Sequence, residues 1–238
     1  MPPRASRAAG EANFDRVAGI YRILEYAAFG RSLEAARFRY LDRLRECRDI
    51  LIIGEGDGRV LERILGLAPQ AAVRCIDTSA AMLARAESRL GPAVRARVTF
   101  EPADARTVDI PPAGYDAVVT MFVLDCFSTA DVARLVDRVK TGLRPGGSWL
   151  FADFAIPDKG WRRVHARAWI VLLYAFFRWR TGLAVRELPP SEQILGDAGL
   201  SLLDSTTWRG GLLRSAVYTS QQPAIGVAIA RCVPNAHR

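Results

Sequence analysis

A chain of 238 residues and 26.2 kDa has room for one α/β domain with a modest elaboration, since a domain takes about 150 residues. Half of its residues are hydrophobic and 24% are charged, which excludes disordered, collagen-like and mucin-like chains. The net charge of +8 is carried almost wholly by arginine, with Lys140 and Lys159 the only lysines, and the accompanying abundance of alanine points to coding bias rather than to a nucleic-acid ligand.

Residues 1–12 read as a flexible N-terminus with no apolar stretch behind their arginines, so no secretory signal is expected. Residues 13–48 read as a helical cap. Phe14, Val17, Ile20, Tyr21 and Leu24 share one helical face, the helical pattern runs on to Cys47, and Gly30 breaks it in two. Then the texture changes. Asp49-Ile-Leu-Ile-Ile-Gly54 is a short apolar run ending at glycine, as in a buried parallel strand. A helix over Val60–Gly66 follows, then a strand over Val73–Asp77. Ser79 caps a helix that runs to Leu90. Strands are predicted at Val98–Glu101, Tyr115–Thr120 and Ser148–Asp153, with a helix over Asp131–Leu143. Such alternation implies a parallel sheet covered on both faces.

Residues 155–188 interrupt the alternation with a helical insertion whose core spans Trp161–Trp179. A further helix starts at Pro190, with Ser191 as its cap. Leu200–Thr207 and Arg214–Ser220 read as strands flanking Arg209-Gly-Gly211, an antiparallel hairpin at the end of the sheet. The main domain therefore covers 49–221, and 222–238 forms a tail. No apolar run approaches the roughly 20 residues of a membrane span. Cys47, Cys75, Cys126 and Cys232 lack CxxC spacing, and His165 and His237 lie far apart, so no metal site is expected. Free thiols point to the cytoplasm.

Chemistry concentrates at the strand ends. Gly54-Glu55-Gly56-Asp57-Gly58 joins the first strand to a helix, where an open α/β sheet binds its ligands. On its own it is also what a tight unliganded turn looks like. Asp77 closes the second strand and can accept both hydroxyls of a ribose; the alternative is a carboxylate capping the next helix. Asp104, in Pro-Ala-Asp-Ala105, can accept from an adenine amino group. Three strand ends thus suit one adenosine-containing ligand. A dinucleotide would want GxGxxG, whereas Arg59 stands at the last glycine, and Glu55 and Asp57 would repel a pyrophosphate. The loop favours S-adenosylmethionine.

Residues 49–153 resemble a class I S-adenosylmethionine-dependent methyltransferase through IIGEGDG, CIDTSAAML, PADA, YDAVVTMFVLDCF and LRPGGSWLFADF. The resemblance implies an α/β fold: a Rossmann-like, mostly parallel seven-stranded sheet with helices on both faces and a C-terminal antiparallel hairpin. FDRVAGIYRILE is similar to the opening of quinone C-methyltransferases, where such a segment folds over the cofactor. By position, the resemblance implies that Gly54, Gly56 and Gly58 line the methionine part. Asp77, with Thr78 beside it, would hold the ribose, Met82 would pack near the adenine, and Asp104 and Ala105 would read it. Met121 and Phe122 would sit beside the transferred methyl. Ile52 departs from the family, which commonly has an acid two positions before the first glycine. That contact falls to Glu55 or Asp57, or is absent.

Asp125, just past the fourth strand, is the first choice for a base or substrate orienter; the alternative is a residue that only starts a turn. Tyr21 and His165 are further candidates, and Cys126 reads as core. The insertion holds an apolar stretch, Ala168–Phe177, between Arg162, Arg163 and Arg167 on one side and Arg178 and Arg180 on the other. It fits a packed helix, a lid over an apolar pocket, or a surface helix on anionic lipid. Its position after the fifth strand favours the lid. The expected activity is methyl transfer to a small, lipophilic or aromatic acceptor, in the cytoplasm, with 161–180 available for peripheral contact with the inner face of a membrane. Nucleic acid is not an expected partner. Two rivals remain: an RNA methyltransferase, and a non-catalytic S-adenosylmethionine-binding protein of the same fold.

Overall fold

A computed structural model describes residues 29–157, 159–181 and 187–220. Residues 1–12, the helical face expected from Phe14 to Leu24 with Tyr21, residues 222–238, Cys232 and His237 lie outside the described residues. Within them, α1 is Ser32–Phe38, β1 Asp49–Ile53, α2 Arg59–Leu67, β2 Ala72–Asp77, α3 Ala80–Ser88, α4 Pro92–Arg95 and β3 Val98–Pro102. Then come β4 Tyr115–Met121, α5 Thr129–Gly142, β5 Leu143–Phe154, α6 Trp161–Thr181, α7 Ser191–Asp197, β6 Ser201–Trp208 and β7 Leu213–Thr219.

The seven strands form one sheet in the order β3-β2-β1-β4-β5-β7-β6. The pairings from β3 through β5 are parallel, and β7 runs antiparallel to both β5 and β6. This is the mostly parallel, doubly covered sheet with a terminal hairpin that the sequence implies. Strand order reverses between β1 and β4, which opens a crevice at their carboxyl ends.

Alternation along β1 divides the interior. Ile50 and Ile52 point into one core with Leu61 and Ile64 of α2, while Leu51 and Ile53 point into the other with Val132, Leu135 and Val136 of α5. Burying each such side chain contributes about 1.5–3 kcal/mol. Ile52, 2% exposed, is therefore a core residue. A third cluster joins Phe29 and Leu33 to Ala166, Ile170 and Tyr174 of α6 and to Leu212 and Leu213, with Phe122 and Phe154 packed against it. The insertion helix thus seats one stripe near the ends of β4 and β5. Its opposite side exposes Trp161, Val164, Val171 and Leu172.

Several boundaries differ from the sequence reading. The helical pattern to Cys47 stops at Phe38 and resumes only as a single 3-10 turn, Leu41–Leu44. Between them the Tyr40 hydroxyl meets Asp204 Oδ1 at 3.1 Å and Thr206 Oγ1 at 2.9 Å on β6. Ser79 caps α3 as expected, accepting from Met82 N at 3.1 Å. Ser191 does not cap α7; it is the first helical residue, and its hydroxyl turns to Pro189 O instead. Helix α5 starts two residues early because Ser128 caps it, and Leu143 is already extended, so β5 is longer than Ser148–Asp153.

Candidate active site

Backbone hydrogen bonds stitch the carboxyl ends of the strands into one edge. Gly54 N donates to Ile76 O at 2.8 Å, Ala103 N to Asp77 O at 3.1 Å, and Phe122 N to Ala152 O at 2.7 Å. The edge therefore gathers the glycine loop, Asp77, the turn at Asp104 and the Met121–Phe122 corner. Gly54 has φ +71°, and a Cβ there would overlap Val123, 2.7 Å from its Cβ. Gly56 has φ +69°, but a Cβ there would meet no atom within 4 Å. The loop is tight against β4 at its start and open at its middle, a form that admits a ligand close to the backbone.

Asp77 reaches into that loop. Its Oδ2 accepts from Gly56 N at 3.2 Å and its Oδ1 from Ser79 N at 2.8 Å. Thr78 beside it is exposed, and Met82 lies buried on the first turn of α3. Asp104 is held by Arg106, whose backbone N–H and guanidinium donate to it, and this holds its carboxyl below the usual carboxylate range despite partial burial. Ala105 is buried behind it.

The two loop acids have different fates. Asp57 is occupied by Arg59 at 3.0 Å and by Arg89 at 3.2 Å, so it is a structural ion pair rather than a free acid facing a ligand. Glu55 turns inward. Its Oε1 accepts the N–H of Leu61 in the first turn of α2 at 3.0 Å, while its buried Oε2 has no partner among the described residues. Burial pushes its carboxyl up to about 8. An orphaned carboxyl oxygen at a glycine loop fits a ligand ammonium, which neither Ile52 nor the paired Asp57 can meet.

Met121 ends β4 buried, and Phe122 adopts φ +57°, uncommon for a bulky side chain and held by its bond to Ala152. The Phe122 ring sits 5.2 Å below the Arg37 guanidinium and packs edge-on to Phe154, centroids 5.3 Å apart. Phe154 stacks on Phe29 at 5.5 Å, and Phe29 on Trp169 of α6 at 6.2 Å. An aromatic row thus leads from the strand ends to the insertion.

Asp125 lies buried on the 3-10 turn Leu124–Cys126. Burial pushes its carboxyl up to about 6, against the Cys126 thiol, which donates to Oδ1 at 3.6 Å. Two neighbours went unnoticed in the sequence. Asp153 on β5, 2% exposed, accepts Asp125 N at 3.1 Å, and Tyr174 of α6 donates its hydroxyl to Asp125 O at 3.0 Å. An acid closing the fifth strand, as Asp77 closes the second, was the available signal for Asp153. His165 stays on the outer side of α6, its Nε2 accepting from the Trp169 indole at 3.2 Å. Tyr21 lies outside the described residues. Among the described residues, no group of three or more His, Cys, Asp or Glu is placed to hold a metal ion.

Residues 50–147 match a family model described as a methyltransferase domain. Uncharacterized methyltransferases of Mycobacterium tuberculosis (strain H37Rv) and Mycobacterium bovis are each 29% identical over 121 residues, 51% of this chain and 58% of theirs. The match thus spans little more than half the length of those curated relatives. Among solved structures, a mitomycin 7-O-methyltransferase aligns with TM-score 0.63 and 19% identity, over 87% of this chain and 60% of its own. The N-methyltransferase NodS from Bradyrhizobium japonicum aligns with TM-score 0.55 and 16% identity, over 79% and 96%. At such identities the likeness shows the fold. The family match across 50–147 lies over this sheet and this glycine loop, so the chain has the fold of the methyltransferases to which it is similar.

Proposed function

We propose that this chain transfers a methyl group from S-adenosylmethionine to a hydroxyl of a small aromatic or lipophilic acceptor. The observation that carries this reading is the tie between a buried acid and an aromatic wall. Asp153 accepts hydrogen bonds from the backbone N–H groups of both Asp125 and Phe154, so the acid turn and the aromatic row meet at the edge that holds the glycine loop. The O-methyltransferase among the structural neighbours supports an oxygen acceptor.

In this reading Gly54, Gly56 and Gly58 approach the methionine part, and Glu55 Oε2 meets its ammonium. Asp77 accepts the ribose hydroxyls beside Thr78, and Asp104, Ala105 and Met82 border the adenine. When bound, S-adenosylmethionine supplies an electrophilic methyl on a sulfonium. The chain is left with alignment, exclusion of water and removal of a proton. Met121 and Phe122 align the reacting groups, the rings exclude water, and Asp125 takes the hydroxyl proton.

The test uses the full chain. S-adenosylmethionine should raise its Tm, and catechol, 4-hydroxybenzoate or menadiol should yield S-adenosylhomocysteine. No Tm change at saturating S-adenosylmethionine refutes the cofactor reading. Stabilisation without turnover on any acceptor would favour a non-catalytic binder. Turnover on RNA alone, falling steeply with salt, would favour the RNA reading.

The outer side of α6 favours peripheral membrane contact within the same reading. Trp161 and Val164 are 72% and 71% exposed beside Arg162, Arg163 and Arg167, apolar and basic together, as an anionic lipid surface requires. Among the described residues no helix is long and apolar enough to cross a membrane. Co-sedimentation with phosphatidylglycerol vesicles, lost in Trp161→Ala with Arg163→Glu, tests this contact.

A further inference from the structure

A guanidinium lies over the aromatic corner of the site. Arg37 Cζ sits 5.2 Å from the centre of the Phe122 ring, and its charge also bears on Glu55 in the glycine loop. Helix α1 sets it there. Leu33 and Ala36 are buried, and the Ser215 hydroxyl of β7 donates to Ala36 O, one residue before Arg37. Phe122 packs against both a sheet core and the insertion cluster, so Arg37 overlooks the place where the strand ends meet α6. At the same edge Arg59 and Arg89 pair with Asp57, and Arg106 pairs with Asp104.

Resting on the methyl-transfer reading, we propose that Arg37 receives a carboxylate on the acceptor, which makes the preferred substrate an aromatic hydroxy acid. A guanidinium presents five N–H donors in a planar fork that matches two carboxylate oxygens, more donors than a single neighbour uses. Beside it runs the row Phe122, Phe154, Phe29 and Trp169, each ring centroid 6.2 Å or less from the next, a wall against which a flat ring packs edge-on or offset. The other charge at this edge is acidic, since Glu55, Asp77, Asp125 and Asp153 all come to it. One guanidinium offsets one carboxylate there, whereas the double charge of a phosphate is repelled.

Arg37 is thereby a specificity-determining residue. Holding a carboxylate by two parallel N–H bonds fixes the direction of the ring as well as its charge. A ring with the same hydroxyl but an uncharged amide leaves the guanidinium without its anion and is held less well. Losing one or two charge-assisted hydrogen bonds corresponds to about 10- to 100-fold in acceptor affinity.

The test titrates the full chain, in the presence of S-adenosylhomocysteine, with 4-hydroxybenzoate and with 4-hydroxybenzamide, which differ in charge and scarcely in shape. Calorimetry then reads binding without turnover. The wild type should bind the benzoate about 10-fold more tightly or better, and Arg37→Gln should abolish this preference. Arg37→Lys, which keeps the charge and loses the fork, should retain part of it. In turnover, the loss in Arg37→Gln should fall on KM for 4-hydroxybenzoate more than on kcat, whereas a merely structural role would weaken both acceptors alike. The proposal is overturned if the wild type shows no preference for the benzoate, a result that needs no variant to fold. It is also overturned if Arg37→Gln weakens both acceptors equally, or weakens S-adenosylhomocysteine as much as the benzoate, which would give the carboxylate to the donor. Failure of the methyl-transfer reading would show separately, as absence of S-adenosylhomocysteine formation from S-adenosylmethionine by the wild type on any acceptor.

Discussion

The Asp77 carboxylate bonds to Gly56 N through Oδ2, so the end of β2 and the centre of the glycine loop hold each other in place. Losing it removes a bond inside the loop and, in the proposed site, the acceptor for a ribose. Asp77→Ala should weaken S-adenosylmethionine binding by about 10- to 100-fold, the effect of losing a charge-assisted hydrogen bond or two. Calorimetric titration measures it. Unchanged affinity would remove Asp77 from the ribose role.

Glu55 gives a pH signature. Its carboxyl ordinarily titrates at 4.5 and here at about 8, so the folded chain holds a proton that the unfolded chain has released between those values. This contribution to stability is full below about 4.5 and is lost as pH rises through about 8. In Glu55→Gln it should vanish, so the variant's Tm should gain on the wild type as pH rises across that window. Binding a cationic amine at Oε2 should expel the proton. Calorimetry of S-adenosylmethionine binding in buffers of different ionisation enthalpy should then show proton release near pH 7 in the wild type and none in Glu55→Gln.

Gly54 and Gly56 should separate folding from binding. Both have positive φ, but a side chain at 54 strikes Val123 while one at 56 enters open space. Gly54→Ala should cost about 1–3 kcal/mol from overpacking, beyond the backbone penalty common to both. Gly56→Ala should cost less stability and proportionally more cofactor affinity. Urea denaturation and binding titrations on the two variants make the comparison, and a Gly56 variant of normal affinity would close the cradle to the cofactor.

Asp125→Asn preserves the shape of the turn and removes the proposed base. It should leave S-adenosylmethionine affinity within a fewfold and lower kcat by about 100-fold or more, as expected for loss of a positioned general base. Single-turnover kinetics with the accepted phenol check this. An undiminished rate would make Asp125 a turn residue only.

What could be read in the sequence was local. The parallel strands announce themselves as apolar runs closed by Gly54 or Asp77, and Ser79 declares its helix start. What was not legible depends on partners far along the chain. The stop at Phe38 follows from where Tyr40 goes, and its partners are Asp204 and Thr206 on β6. Asp57 looked like a free loop acid because nothing nearby foretells Arg89, just past the end of α3. Glu55 and Asp57 alternate along one loop, yet one caps α2 from within and the other is claimed by arginines. Asp153 and Tyr174 acquire meaning only when β5 and α6 bring them to Asp125.

Besides the Tyr174 bond to Asp125 O, α6 packs on the rest of the chain through a cluster of its own, which shares Phe122 with one of the two cores that flank the sheet. The exposed side of α6, with Trp161, Val164, Val171 and Leu172, can therefore change without unsettling the strands that present the glycine loop. In the proposed reading acceptor preference becomes an exchangeable module beside a fixed donor platform, and replacing that outer side is the natural way to redirect it.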